Sequence, residues 1–304
     1  MKNRKYSLVF IMLLCMIMAV SAFPMTVNAD MGPKASVRIQ FEHMGDELCY
    51  GTLLSKEKST GPASAWDGRT ESAQKEYMDP GIWEIFVNYK DPDGYYFLQR
   101  SWKVSESKEL AWTYYPPGDF KILLYYPETE TFVSSGIYAR YAFDTYYTVD
   151  MDGVDIGSVE YNDDLSTNER IEAYRSYNYR QEMLALGARI VLTILIEMLV
   201  ALLFGFRQKK QLLILAVVNI ITQIILNVLL NVINYNSGPL AFTFFYVLFE
   251  LIVFALEAVL YCTILKRISE KKKEDAYYIL YSFVANLISF GAGLFLAAKL
   301  PGMF

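Results

Sequence analysis

The sequence has little histidine and cysteine, and that scarcity removes several chemistries at once. Its one histidine, His43, precedes all the long apolar runs, so neither an HExxH motif nor a His-based zinc site can form within them. No Gly-x-Ser-x-Gly elbow occurs and no aspartate stands inside the apolar runs, which excludes a serine-hydrolase turn and an intramembrane aspartyl dyad. Within the apolar runs, hydrolysis by two glutamates acting as acid and base stays open. Nothing specific points to it, so an enzyme is not expected, and no cofactor is. Of the 3 cysteines, Cys15 follows the bulky Leu14 inside the N-terminal apolar core and is not a lipobox cysteine. Cys49 and Cys262 fall in segments of opposite character, so no disulfide joins them. A Lys/Arg-rich face is also missing. Residues 30–182 hold 27 acidic and 15 basic side chains (27 − 15, a net of −12), against −5 for the whole chain. Nucleic acid is therefore excluded as a partner.

Residues 1–29 carry a basic start (Lys2, Arg4, Lys5), an apolar core from Leu8 to Val20, Pro24, and Val27-Asn28-Ala29. A core that short cannot span a bilayer, and small residues before Asp30 suit signal peptidase. A cleaved signal peptide is expected. The domain of residues 30–165 that follows must be held by its own core, which its length allows.

Beyond Glu182 four apolar runs appear, 183–206, 212–233, 240–265 and 276–298, each near the ~20 residues that cross hydrocarbon as a helix. The connections at 207–211 and 266–275 are basic, whereas "NYNSGP" at 234–239 is uncharged. The positive-inside rule places the basic pair in the cytoplasm. Residues 30–182 and the C-terminus are then expected outside, and the signal peptide independently places residues 30–182 there. The expected fold is an extracytoplasmic all-β sandwich, 30–165, a helical connector, 166–182, and an all-α four-helix transmembrane domain, 183–304.

Polar residues recur along each run. Asn219, Gln223, Asn227 and Asn231 stand every fourth position, and at ~100° per residue they form one slowly drifting stripe. Arg189, Thr193 and Glu197 make a second stripe, Tyr246, Glu250, Glu257 and Tyr261 a third, and Ser282, Asn286, Ser289 and Gly293 a fourth. By helical rise, Glu197, Gln223, Glu250 and Asn286 fall near mid-depth. Glu257 and Asn219 lie towards the cytoplasm, and Arg189 and Asn231 towards the outside. A charged side chain facing lipid costs at least ~2.5–3.5 kcal/mol, so all of these are expected to face the interior of a bundle. Two readings stand. The amides are interhelical hydrogen-bond glue, or Glu197, Glu250 and Glu257, with Tyr261 beside them, form a proton or cation site, each carboxyl protonated or balanced by a cation. Arg189, about two turns from Glu197, is expected to meet Asn231 or headgroups. No metal site is expected.

Between residues 35 and 160, β-branched and aromatic residues alternate with polar ones and are broken by turn signals. Strands are expected at 36–41, 48–55, 81–89, 95–104, 120–128, 136–143 and 146–151, with Asp-Gly turns at Gly94 and Gly153. "DMDGVDIGSVE" (Asp150, Asp152, Asp155, Glu160) reads as a turn, since Gly153 stands at position four, where an EF-hand needs its glycine at six. Tyr95, Tyr96, Trp102, Trp112, Tyr114, Tyr115, Tyr125, Tyr126, Tyr146 and Tyr147 are numerous for one small core. They are either core and aromatic belt or a stacking surface for glycan or peptide.

The order "LCYGTLLS", "DPDGYYF", "PPGDFKILLYYPE" resembles the carboxypeptidase regulatory-like, transthyretin-type β-sandwich over residues 35–130. Asp93, Gly94 and Phe97 match its first turn-strand element, and Pro117, Gly118 and Phe120 its second. The resemblance implies an accessory or binding module rather than a peptidase. The membrane part resembles four-helix segments of exported proteins of low-GC Gram-positive bacteria, which implies a multi-pass protein of a bacterial cell membrane.

The expected function is a receptor or accessory subunit of a membrane complex, with a β-sandwich binding or sensor module on a polar-cored bundle. The alternative is a proton- or cation-coupled transporter or channel using Glu197, Glu250 and Glu257. Expected partners are the bilayer, partner membrane proteins or further copies of the chain, and an extracellular glycan or peptide.

Overall fold

The computed structural model describes residues 33–57, 78–113, 115–156 and 169–299. The signal peptide, Tyr114, Glu160 and the start of the expected connector lie outside them. The chain divides into two units, 33–177 and a helical unit from Asn178 onward.

In the first unit, strands β1 (Ser36–Glu42), β5 (Glu109–Trp112), β9 (Asp144–Asp150) and β11 (Ala173–Arg175) form a sheet in the order β11-β9-β1-β5. A second sheet runs β10 (Glu169–Ile171), β7 (Thr131–Ser135), β6 (Asp119–Tyr126), β2 (Tyr50–Ser55), β3 (Tyr96–Phe97), with β4 (Trp102–Lys103) on β2 and β8 (Tyr138–Ala139) on β6. Val37, Ile39 and Phe41 alternate inward on β1 and meet Leu53, Ile122, Leu124, Val133, Tyr147 and Val149 in one core. The two sheets therefore pack face to face, as alternation at period two requires.

Helix α1 (Pro80–Asn88) overturns the expected strand at 81–89. "GIWEIFVN" is rich in strand-forming residues, but Asp79 accepts hydrogen bonds from the Gly81 and Ile82 amides and Pro80 stands in the first turn. Both are helix-start signals. Ile82, Trp83 and Phe86, at helical spacing, pack on Leu54, Leu123, Tyr125, Tyr95 and Phe97. Covered on both faces, β2 and β6 are buried almost throughout. That extra layer also buries Tyr95 and Tyr125, while Trp112, Tyr126 and Tyr147 are buried between the sheets and Tyr96, Tyr115 and Tyr146 are exposed.

Other expectations are corrected locally. The stretch 95–104 yields only β3 and β4, followed by the one-turn helix α2 (Val104–Ser107), and 136–143 yields only β8. The helical connector is not a helix over 169–175: Ile171 is buried in the core, β10 pairs with β7 and β11 with β9. Helix begins at Tyr179, where Asn178 accepts from the Gln181 amide.

Among the described residues the helical unit holds three helices long and apolar enough to cross a membrane, with mean hydropathy 2.3, 2.5 and 1.8. They are α3 (Tyr179–Leu203), α4 (Lys209–Leu260, continued by a π-turn, Tyr261–Leu265, and by Lys266–Ile268), and α5 (Asp275–Lys299). The expected break at 234–239 narrows to one residue, Gly238, at φ 80°, ψ −178°, before Pro239. There α4 doubles back. Thr222 donates to Glu257 at 3.0 Å and Tyr261 to Asn219 at 3.3 Å, between positions that a straight helix would hold about 50–60 Å apart.

Candidate functional site: the polar core of the helical unit

The helical unit is apolar outside and polar inside. Leu195, Leu199, Ile221, Ile225, Val228, Leu248, Ile252 and Leu256 are exposed, whereas Glu197, Asn219, Glu257 and Asn286 are fully enclosed. Gln223, Asn227 and Glu250 are 2–3% exposed. A side chain four positions on keeps its face, so the stripes place their members in one interior.

Glu257 is held from two elements. Thr222 Oγ1 donates to Oε1 at 3.0 Å and Asn286 Nδ2 to Oε2 at 2.7 Å. Glu197 receives the Ser289 hydroxyl on Oε1 at 3.4 Å, and the Tyr281 hydroxyl donates to its backbone carbonyl at 3.4 Å. Glu197 lies within electrostatic reach of both Glu257 and Glu250. Tyr246 stands beside Glu250, one turn earlier on α4. Asn227 donates to the Gln223 backbone and side-chain carbonyls at 2.8 and 3.2 Å. At the other end, Arg189 Nη2 donates to Asn231 Oδ1 at 3.0 Å, with its guanidinium 5.9 Å from the Phe242 ring.

Glu197 Oε2, Asn219 Nδ2, Gln223 Nε2, Glu250 Oε2 and Asn286 Oδ1 are enclosed and make no hydrogen bond of normal geometry. A cavity of about 20 Å³ towards the Arg189 end is bounded by Arg189, Thr193, Gln223, Asn227, Tyr246 and Ser289 among others. It has room for one water.

All the residues expected in the interior therefore gather in one unit. Tyr261 is enclosed, Asn231 and Tyr246 are half-buried at the Arg189 end, and Gly293 lines the cavity. Sequence reasoning missed Thr222, Tyr281 and the Gln211–Ser269 bond of 2.9 Å. Thr222 falls one position outside the amide stripe. Tyr281 was legible in principle, because Tyr277, Tyr278 and Tyr281 repeat at helical spacing.

The first unit carries a second feature. On β1, Arg38, Gln40 and Glu42 alternate outward; with Glu109, Tyr146, Thr148, Tyr174 and Ser176 they line an open concavity of about 640 Å³. Arg38 pairs with Glu109 at 2.9 Å and the Tyr174 hydroxyl donates to Glu42 at 3.2 Å. Asp150 accepts the Asp152 amide at 3.0 Å and meets His43 Nδ1 at 2.8 Å. Its place at that turn suits loop bracing. No group of three or more His, Cys, Asp or Glu able to hold a metal occurs among the described residues.

No protein-family model, no curated protein and no solved structure matches the chain.

Proposed function

We propose that this chain is a multi-pass membrane receptor or accessory subunit whose β unit, held outside the cell membrane, binds a glycan or extended peptide. In this reading each half of α4 is a separate pass, giving four spans, with the basic segments at 207–211 and 266–275 in the cytoplasm. The observation that carries the reading is the concavity on the β11-β9-β1-β5 sheet. Exposed Tyr146 and Tyr174 rings offer stacking surfaces, and Arg38, Glu109 and Glu42 offer directional hydrogen bonds. That mixture suits an uncharged polyol or a peptide backbone better than an apolar ligand. The cavity at the Arg189 end has room for about one water, which suits an anchoring and coupling bundle better than an open conduit.

The test is binding of full-length protein in lipid nanodiscs to panels of cell-wall glycan fragments and unstructured peptides. A Tyr174→Ala/Arg38→Ala variant should weaken binding by about 2–3 kcal/mol, roughly 30- to 150-fold. Binding indifferent to those changes, or none from either panel, would contradict the reading.

A further inference from the structure

The interior of the helical unit is unbalanced in charge. Between 183 and 260 its enclosed charged side chains are Glu197, Glu250 and Glu257 against Arg189, and α5 contributes none from 276 to 296. Arg189 is engaged by Asn231 at 3.0 Å, towards the opposite end from Glu257. Moving a carboxylate from water into surroundings of low polarity carries a large desolvation penalty. Two uncompensated carboxylates side by side add mutual repulsion. Something positive and small must accompany them.

The hydrogen bonds indicate what it is. Glu257 has donors on both oxygens, whereas Glu197 Oε2 and Glu250 Oε2 are enclosed and receive no hydrogen bond of normal geometry, with Asn219 facing Glu197 and Tyr246 facing Glu250 at weaker polar contact. An unsatisfied carboxyl oxygen is repaired by a proton, which turns it from acceptor into donor. Asn286 Oδ1, also unpartnered, is an acceptor on the helix that meets both Glu197 and Glu257. No grouping of three or more acidic, His or Cys side chains able to hold a metal exists among the described residues, which favours a proton over a carboxylate-caged metal cation.

We propose that Glu197, Glu250 and Glu257 form a proton-binding site enclosed in the helical unit, which exchanges with water through the small cavity beside Ser289. The route follows from Ser289, which lines the cavity and also reaches Glu197 Oε1 at 3.4 Å. The other titratable groups facing the cluster are Arg189 on α3, Tyr246 and Tyr261 on α4, and Tyr281 on α5. Proton occupancy is thus a state variable of the bundle, independent of whether the sheet face binds a ligand.

The test is infrared spectroscopy of the full chain in nanodiscs, with glutamate labelled at the side-chain carboxyl carbon, at about pH 8, where solvent-exposed carboxyls are ionised. A neutral-acid carbonyl band is expected in the wild type, reduced in Glu197→Gln and again in Glu250→Gln. Its shift on transfer to D2O should slow in Ser289→Val. A wild-type spectrum with carboxylate bands alone would overturn the proposal whether or not the variants fold. A neutral-acid band that disappears on adding Na⁺ would also overturn it, by assigning the site to a metal cation. An unchanged exchange rate in Ser289→Val would overturn the cavity route.

Discussion

Asn286 on α5 donates a 2.7 Å hydrogen bond to Glu257 on α4, and Thr222, from the opposite half of α4, holds the other oxygen of the same carboxyl. One side chain thus ties together three lengths of helix. Asn286→Leu should cost about 1–2 kcal/mol, since a bond inside a membrane unit is worth somewhat less than the desolvation left behind. Thermal unfolding in a mild detergent measures it. In a Glu257→Gln background the loss should shrink, and strictly additive losses would show that the pair is not coupled.

The reversal of α4 rests on Gly238. Its φ of 80° with ψ of −178° is a region that side-chain-bearing residues avoid. Gly238→Ala should destabilise the helical unit by about 1–3 kcal/mol, read as a lower unfolding midpoint. A neutral result would mean that α4 does not turn at this residue.

Helix α1 depends on its cap. Asp79→Ala removes the acceptor for two amides and should cost about 1 kcal/mol. Asp79→Asn should recover most of that in the same denaturation experiment.

Lys121, wholly enclosed on β6, reaches Asp91 at 3.1 Å and Asp93 at 2.5 Å. Lys121→Ala should cost about 3–5 kcal/mol by stranding the buried Asp91 carboxylate, measured by unfolding of the first unit within the full chain. Burial opposes the lysine's charge, but its bonds to Asp93 and Asp91 outweigh this and hold its pKa above the ordinary lysine value. A raised pKa contributes stability that is complete below about pH 10 and is lost as pH climbs above it. The hydrogen bond from Lys121 holds Asp93 below the ordinary carboxylate value. Its contribution is therefore present at neutral pH and lost below about pH 4, and it is modest because Asp93 is 45% exposed. In Lys121→Met both dependences should vanish; if either persists, other groups set it.

Much of the interior was legible because helical periodicity is a strong signal. Asn219, Gln223 and Asn227 could share a face only in one way, and Arg189 had Asn231 as its natural partner at equal depth. What the sequence withheld were choices made between elements. Nothing in the spacing told Thr222 and Asn286 to divide one carboxylate between them. Residues 81–89 looked like a strand because the Ile, Trp, Phe and Val that suit a pleated sheet serve equally on a helix face. Only Asp79 and Pro80 gave the helix away. Residues 169–175 looked like the start of the following helix because the chain runs on without Gly or Pro, yet pairing with β7 and β9 outweighed that local preference. β5 was too short, at four residues, to stand out from its surroundings.

The proposed topology has four passes across the membrane with the β unit outside. Impermeant thiol labelling in spheroplasts tests that directly, on protein with Cys15 and Cys262 replaced by alanine. Cys49 can remain, since burial pushes its thiol pKa up to about 12 and shields it. Single cysteines at Asp152, Ser237 and Lys272, all exposed, report the β unit, the turn of α4 and the basic connection. Labelling of the first two in intact spheroplasts, and of Lys272→Cys only after permeabilisation, is the predicted result. Labelling of Lys272→Cys from outside, or protection of Ser237→Cys until the membrane is opened, would contradict it.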